Sequence, residues 1–468
     1  MNFDAPVFLT VFLPLLAGIH CLLRRDRARS WLLLIAGLCF YSFGSFSGLA
    51  VLLVTAAVNY VFGLALQKKR SRGMLGIGIA LDLLLLGAYK YLAFFAGSLF
   101  GAKTMAAAAS SWLVPLGLSF FTFKCISYLI DTYRDAEHGT RSFFVLLLYI
   151  SFFPQIVAGP ISRFPDFSAQ LSGRSVSAER MALGFRRFLI GLAKKIFLAG
   201  AMSRIVDPIY ALSAADLSAA LAWIAAAAYT LQIFFDFSAY SDMAIGLGEM
   251  FGFSAPENFD DPYIASSVGD FWRRWHISLS LWFRDYLYIP LGGNRKGKWR
   301  AALNKLIVFT LCGFWHGAAW TFLLWGVWHG LLSALETLGV LPVKKLQATA
   351  AGRALGHIYT LLAVCLGFVL FRSGSLGEAG RMFAAMFGGG NASVLSAVTL
   401  RTVLDAKTLT MSVLCVLLCF PVGRRLAGLE ETMPWLRPLS CVLCLCLLVL
   451  SLCAMASTGF QPFIYAQF

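Results

Sequence analysis

Apolar positions along this chain fall in long unbroken runs, not in alternation with polar ones. The runs lie at about 6–23, 31–45, 47–66, 73–100, 112–130, 142–158, 183–206, 217–252, 301–316, 318–338, 355–371, 408–422 and 437–457. Strands of a membrane barrel would alternate apolar and polar side chains over roughly ten residues. Continuous runs near the ~20 residues that cross a bilayer predict helices instead. The expected fold is all-α, a polytopic membrane protein with about eleven spans. Runs 31–45 and 301–316 are short and predict half-helices or re-entrant segments, which survive only where protein or a water-filled cavity covers them. The polar stretch 159–182, followed by Arg186, Arg187, Lys194 and Lys195, predicts a piece lying along the membrane surface. Basic residues at 24–29 and 68–72 mark cytoplasmic loops, which puts the N-terminus outside. No polar stretch is long enough for a separate soluble domain, so 1–468 reads as one membrane-embedded unit.

Composition sharpens this picture. Hydrophobic residues make up 59% of the 468 and charged residues 13%, too little polar surface for a soluble fold of this length. The net charge of +16 would suggest nucleic acid in a soluble protein, but here the basic residues cluster between apolar runs, as membrane topology demands. Of the eleven cysteines, Cys441, Cys444, Cys446 and Cys453 sit inside one apolar run with no histidine or acid nearby. They read as small apolar side chains, and no metal site is predicted. A transporter or flippase is the reading from another class. The chain has no internal repeat and no symmetric pair of broken helices to support it.

Residues 256–300 are the least lipid-like part of the chain, dense in Asp, Arg, Lys, Trp and Tyr. That mixture belongs at a membrane interface. It also suits a phosphate-bearing cofactor. Three of the six histidines lie between 276 and 329. His316 stands in an apolar run between Gly313 and Gly317, small residues that let other backbones or a ligand approach closely. An ionisable group at membrane depth is costly and points to function. Imidazole takes up a proton near neutral pH, which suits activation of a hydroxyl; the competing reading is a buried histidine bonded to a carbonyl. His329 lies thirteen residues on, about 220° around one continuous helix, and should face away from His316. His20, His138 and His357 read as interfacial. Gln232, Asp236 and Tyr240 form one stripe of a helix. Asp236 could hold a catalytic group or bind substrate, but pairing with an arginine of 273–300 is the favoured reading. Asp82, Lys90 and Lys124, further charges inside apolar runs, are assigned no chemistry. Gly292–Lys298 matches G-x-x-x-x-G-K, yet Trp299 stands where a phosphate-binding loop needs Ser or Thr and no strand precedes it, so nucleotide binding is rejected.

The segments Leu116–Phe123, Gln155–Ile161, Asp236–Asp242, Phe271–Ser280, Trp282–Tyr286, Pro290–Arg295, Trp315-His316-Gly317 and Phe463-Ile464-Tyr465 together resemble the bacterial, polysaccharide-acetylating branch of the membrane-bound O-acyltransferase family. The resemblance covers nearly the whole chain, with core motifs over about 112–338. It implies a ring of helices around a funnel through a bacterial cytoplasmic membrane. It further implies catalytic roles for His316 and His276, and a donor tunnel near Trp272, Trp275, Asp236, Tyr240, Asn294, Arg295 and Trp315. The implied reaction moves an acetyl group from a cytoplasmic thioester, a substrate and not a bound cofactor, to a hydroxyl of an envelope polysaccharide. His316 would act as general base, and His276 would orient the donor or stabilise the oxyanion. D-alanyl transfer to teichoic acid is the alternative within the family. Because no extracytoplasmic domain is visible to grip a sugar chain, a surface-side protein that accepts the acyl group is expected beside it.

Overall fold

A computed structural model describes every residue except 1, 99, 100, 102, 103, 106, 108–111, 113, 175, 434, 459–462 and 465–468. Among the described residues the backbone is helical, without strands; Phe259 and Trp275 form an isolated antiparallel bridge. Serine and threonine side chains start many helices by accepting a backbone N–H of the first turn. Ser45 does so from Gly48, Ser71 from Met74, Ser267 from Asp270 and Thr349 from Gly352. Each cap satisfies a donor that would otherwise be orphaned in an apolar medium.

Among the described residues, five helices are long and apolar enough to cross a membrane: Phe46–Lys68, Arg72–Gly97, Ala219–Met250, Ala350–Arg372 and Pro438–Ser457. A bent pair, Leu376–Gly389 with Val394–Val403, is a sixth if the two halves form one span. The count of about eleven is therefore not reproduced by length and apolarity alone. Several runs fold as shorter pieces, such as Asp26–Ser42 and Leu118–Arg134 of 17 residues each. Run 31–45 falls mostly in Asp26–Ser42, and run 301–316 extends backwards through basic residues into Gly297–His316; neither helix is among the five. The Ala219–Met250 helix is 72% buried over its apolar window and is a core element, whereas Pro438–Ser457 is only 11% buried and presents its apolar side chains outward. The latter suits lipid as solvent. The region after 159 holds a short helix, Phe164–Ser168, and an amphipathic one, Ala178–Ala193.

The contacts divide the chain into two units. Among the described residues, the first comprises those up to Leu189 and Tyr240–Glu257; the second comprises Ile190–Ala239 and those from Asn258 to Ile464. Within the first, the intramembrane charges have structural partners. Asn59 donates to Asp82 at 2.8 Å, Lys124 to the Tyr149 carbonyl at 2.9 Å and Lys90 to Ser119 at 3.3 Å. His20, expected at an interface, is fully buried against Phe251. Gly117 has φ +67, and a Cβ there would collide with the Ile156 carbonyl, so only glycine fits.

Within the second unit, Gly297–His316 and Trp320–Leu338 form a close helical hairpin. A Cβ on Gly313 would lie 2.9 Å from the Gly326 Cα, and one on Gly326 would strike the Phe309 carbonyl. The space left by Gly313 is thus taken by the neighbouring helix, and that beside Gly317 by the Phe322 ring, not by an acyl chain as the sequence suggested. Gly326→Val is expected to cost more than about 3 kcal/mol, because a backbone has no rotamer with which to retreat. The protein should lose its monodisperse peak in detergent size-exclusion, while Gly76→Ala, a helical site with nothing within 4 Å, should keep it.

Candidate active site

All but one of the sequence-predicted site residues lie in the second unit. The exception is Tyr240, in the first, where its ring stacks on Phe3 at 5.0 Å. His276 stands at the start of the Ile277–Phe283 helix with φ 45 and ψ 55. This left-handed conformation is uncommon outside glycine and costs about 1–3 kcal/mol, so neighbouring structure must impose it. Three contacts do so: Ile277 N–H donates to the Asn258 carbonyl at 3.0 Å, Asp260 N–H donates to the Arg274 carbonyl at 2.9 Å, and Phe259 bridges Trp275. On the preceding helix, Val268–Arg274, the Glu336 carboxylate accepts the first backbone N–H groups, Val268 at 2.8 Å and Gly269 at 2.9 Å. Arg274 holds the other end to Asp270 and Asp260.

The side chain of Asn258, wholly buried, sets the state of His276. Its Oδ1 accepts from the Ser278 backbone N–H at 3.2 Å and the Ser278 hydroxyl at 2.9 Å, and lies 3.1 Å from His276 Nδ1. A backbone N–H can only donate, so the amide atom at this point is the oxygen, and an oxygen acceptor requires a proton on His276 Nδ1. In the neutral ring Nε2 then carries a bare lone pair. That atom is buried and, among the described residues, without a hydrogen-bond partner. Phe237 packs edge-on against the ring at 4.6 Å. Neutral His276 can therefore accept a hydrogen bond or a proton at Nε2 but cannot donate one to an oxyanion.

His316 is the last residue of its helix and is 3% exposed. Its ring meets Trp325 and Phe371 edge-on at 5.2 Å each, and Trp315 at 4.8 Å. The helix breaks at Gly317, and the next begins at Trp320. This break overturns the expectation that His329 faces away from His316, since both rings lie 5.2 Å from Trp325. His329 is nonetheless a packed residue. Trp272 Nε1 donates to its Nδ1 at 3.4 Å, and its Nε2 abuts Gly367, where a Cβ would lie 2.5 Å away. A wall of rings joins the two candidate catalysts: His276, Phe237, Phe259, Trp275, Phe368, Phe371 and His316, each ring next to the one before. Trp272, Trp275 and Trp315 belong to this aromatic surface or its flank.

Asp236 does not pair with an arginine of 273–300. Lys195, from a π-helical turn at Lys194–Ala199, meets its Oδ1 at 2.6 Å, and the Ile464 N–H donates to its Oδ2 at 2.7 Å. Lys195 Nζ also lies 4.2 Å from the centre of the Phe463 ring. Tyr465 lies outside the described residues. Asn294 and Arg295 are exposed; Asn294 accepts from the Tyr288 hydroxyl at 2.5 Å. The turn that carries them is held by buried Asn304, which donates to the Gly293 carbonyl at 3.1 Å. Asn258, Glu336 and Asn304 were not singled out from sequence. Each is an isolated polar residue, and only tertiary contacts reveal its work.

The match to a family model for the membrane-bound O-acyltransferases spans residues 81–376. The chain is 40% identical to a probable alginate O-acetylase of Azotobacter vinelandii, over 84% of this chain and 79% of that protein. It is 33% identical to a peptidoglycan O-acetyltransferase of Helicobacter pylori, over 82% and 80% respectively. A teichoic acid D-alanyltransferase of Bacillus subtilis is 30% identical over 55% of this chain and 68% of its own length.

Proposed function

Because the chain belongs to the membrane-bound O-acyltransferase family, we propose that this multi-pass bacterial membrane protein moves an acetyl group from a cytoplasmic thioester to a hydroxyl on the envelope side, with a polysaccharide as final acceptor. The observation that carries the chemistry is the pair of buried histidines on one aromatic wall, His276 with a bare Nε2 and His316 beside Trp325 and Phe371. Acetyl is favoured over D-alanyl because similarity to the O-acetylating relatives runs over more than four-fifths of the chain, against 55% for the D-alanyltransferase.

In the proposed step the acceptor oxygen attacks the thioester carbonyl, a C–O bond forms and the C–S bond breaks. His316 takes the hydroxyl proton and returns it to the departing thiolate sulfur. His276 Nε2 accepts a hydrogen bond from an N–H or O–H of the bound reactants and orients them, which replaces the oxyanion role weighed from sequence. The aromatic wall keeps bulk water from the thioester. A separate extracytoplasmic protein receives the acyl group and passes it to the polymer. The test is reconstitution in vesicles with radiolabelled acetyl-coenzyme A inside. Label appearing on an added surface-side partner or on external polysaccharide is the expected result. Retention of all label inside, with active protein and every candidate acceptor present, would defeat the proposal.

A further inference from the structure

In the first unit, a cavity of 540 Å³ opens beside the amphipathic Ala178–Ala193 helix. One wall is apolar, from Cys21, Met181, Phe185 and Met250, and Arg29 stands in the lining. Behind Arg29 lies a cluster of cationic side chains that the protein leaves short of acceptors. Arg174 is 8% exposed. One of its nitrogens, Nη2, donates to the Asp26 carbonyl and to Ser30 Oγ, both at 2.8 Å, but among the described residues its Nε and Nη1 have no partner. Arg29 Nε is likewise buried and unpartnered among the described residues, and Arg29 reaches Asp26 only at 3.6 Å. His20 is fully buried, and among the described residues neither ring nitrogen is bonded. The acid in the cluster, Asp26, already spends its Oδ2 on the Gly173 N–H at 3.0 Å.

Two arginines against one aspartate leave an excess positive charge. Buried guanidinium N–H groups that lack acceptors are rare in folded proteins and call for one. The group that best supplies several anionic acceptor oxygens at once is a phosphate, which arginine binds through its planar fork. The apolar wall adds a second requirement that a free phosphate would not meet. Arg29 follows the basic segment 24–27, which the positive-inside rule assigns to the cytoplasmic side, where anionic lipids concentrate.

We propose that this cavity binds a phosphate-bearing ligand, with the phosphate at Arg29 in the lining, buried Arg174 adding its charge through the Asp26 that both arginines reach, and an acyl chain along Cys21, Met181, Phe185 and Met250; the lining favours an anionic phospholipid of the cytoplasmic leaflet over the phosphate of a soluble thioester donor. The site uses none of the catalytic residues proposed above and does not depend on their roles.

The experiment follows the melting temperature of the full-length protein in detergent with dioleoylphosphatidylglycerol, dioleoylphosphatidylcholine or coenzyme A added. Phosphatidylglycerol should raise it by roughly 2–4 °C, phosphatidylcholine by clearly less. Arg174 also bonds to Asp26 and Ser30 and stacks on Phe253, so Arg174→Gln risks misfolding. Arg29→Gln keeps most of the buried aliphatic stem and removes the guanidinium, whose contact with Asp26 is long at 3.6 Å; it should abolish the phosphatidylglycerol shift while changing the lipid-free melting temperature little. An Arg29-dependent shift with coenzyme A and none with phosphatidylglycerol would keep the phosphate site and overturn the lipid assignment. Equal shifts from both lipids, or a shift that survives Arg29→Gln, would overturn the site itself.

Discussion

Replacing His316 with alanine is expected to lower acyl transfer by about 10²–10⁴-fold, the range that a positioned acid–base group contributes. The ring is enclosed by Trp325, Phe371 and Trp315, so alanine also leaves a void and weakens the fold. His316→Gln, closer in volume, separates the two effects. It should melt near the unmodified protein yet show the same loss of transfer at matched protein level. His329→Ala supplies the contrast. It strips the Trp272 indole N–H of its acceptor, which should cost about 1–3 kcal/mol of stability. Transfer per folded molecule should stay within a few-fold. Equal catalytic loss from both substitutions, measured as label transferred per folded protein, would show that the assignment of roles is wrong.

The second large effect is expected at Asn258. Asn258→Ala frees Nδ1 of His276 and removes the acceptor of the Ser278 N–H. The ring can then hold its proton on either nitrogen, and transfer should fall by at least about 10²-fold, as wrong-tautomer substitutions do elsewhere. Asn258→Asp tests positioning without removing an acceptor. A carboxylate beside Nδ1 stabilises the imidazolium and raises the pKa of His276. The active, neutral ring would then prevail only at higher pH, so the acid limb of the pH–rate profile should move upward. A merely structural Asn258 would change the amount of folded protein but leave that limb in place.

Much of the fold could be read from the apolar runs because lipid imposes a simple rule: backbone groups must be satisfied within the segment. His316 stood out for a related reason, as an imidazole in an apolar run, whereas His276 was singled out only through the family resemblance. Tertiary pairings were less legible. An arginine of 273–300 was the expected partner of Asp236, yet Lys195 on another helix reaches it. Nothing local distinguishes these choices, because a buried carboxylate accepts whichever cation the packing delivers. The phase relation between His316 and His329 failed at one place, the break between Gly317 and Trp320. Periodicity holds only within an unbroken helix. Asn258 left no pattern at all: a lone asparagine in a polar loop becomes a controlling residue only when residues 258–260 pair with 274–277.

The ion pair between Lys195 and Asp236 bears on how the protein is made. The two residues are 41 positions apart and can meet soon after synthesis of the second. The remaining acceptor, Asp236 Oδ2, takes the N–H of Ile464, 228 residues later, and Phe463 covers the ammonium. At about 5–20 residues per second, the ribosome needs roughly 10–50 s to deliver that cover. During this interval the inserted helices hold a partly satisfied charge pair at a position that is later sealed. A chain stopped before residue 463 keeps that defect permanently.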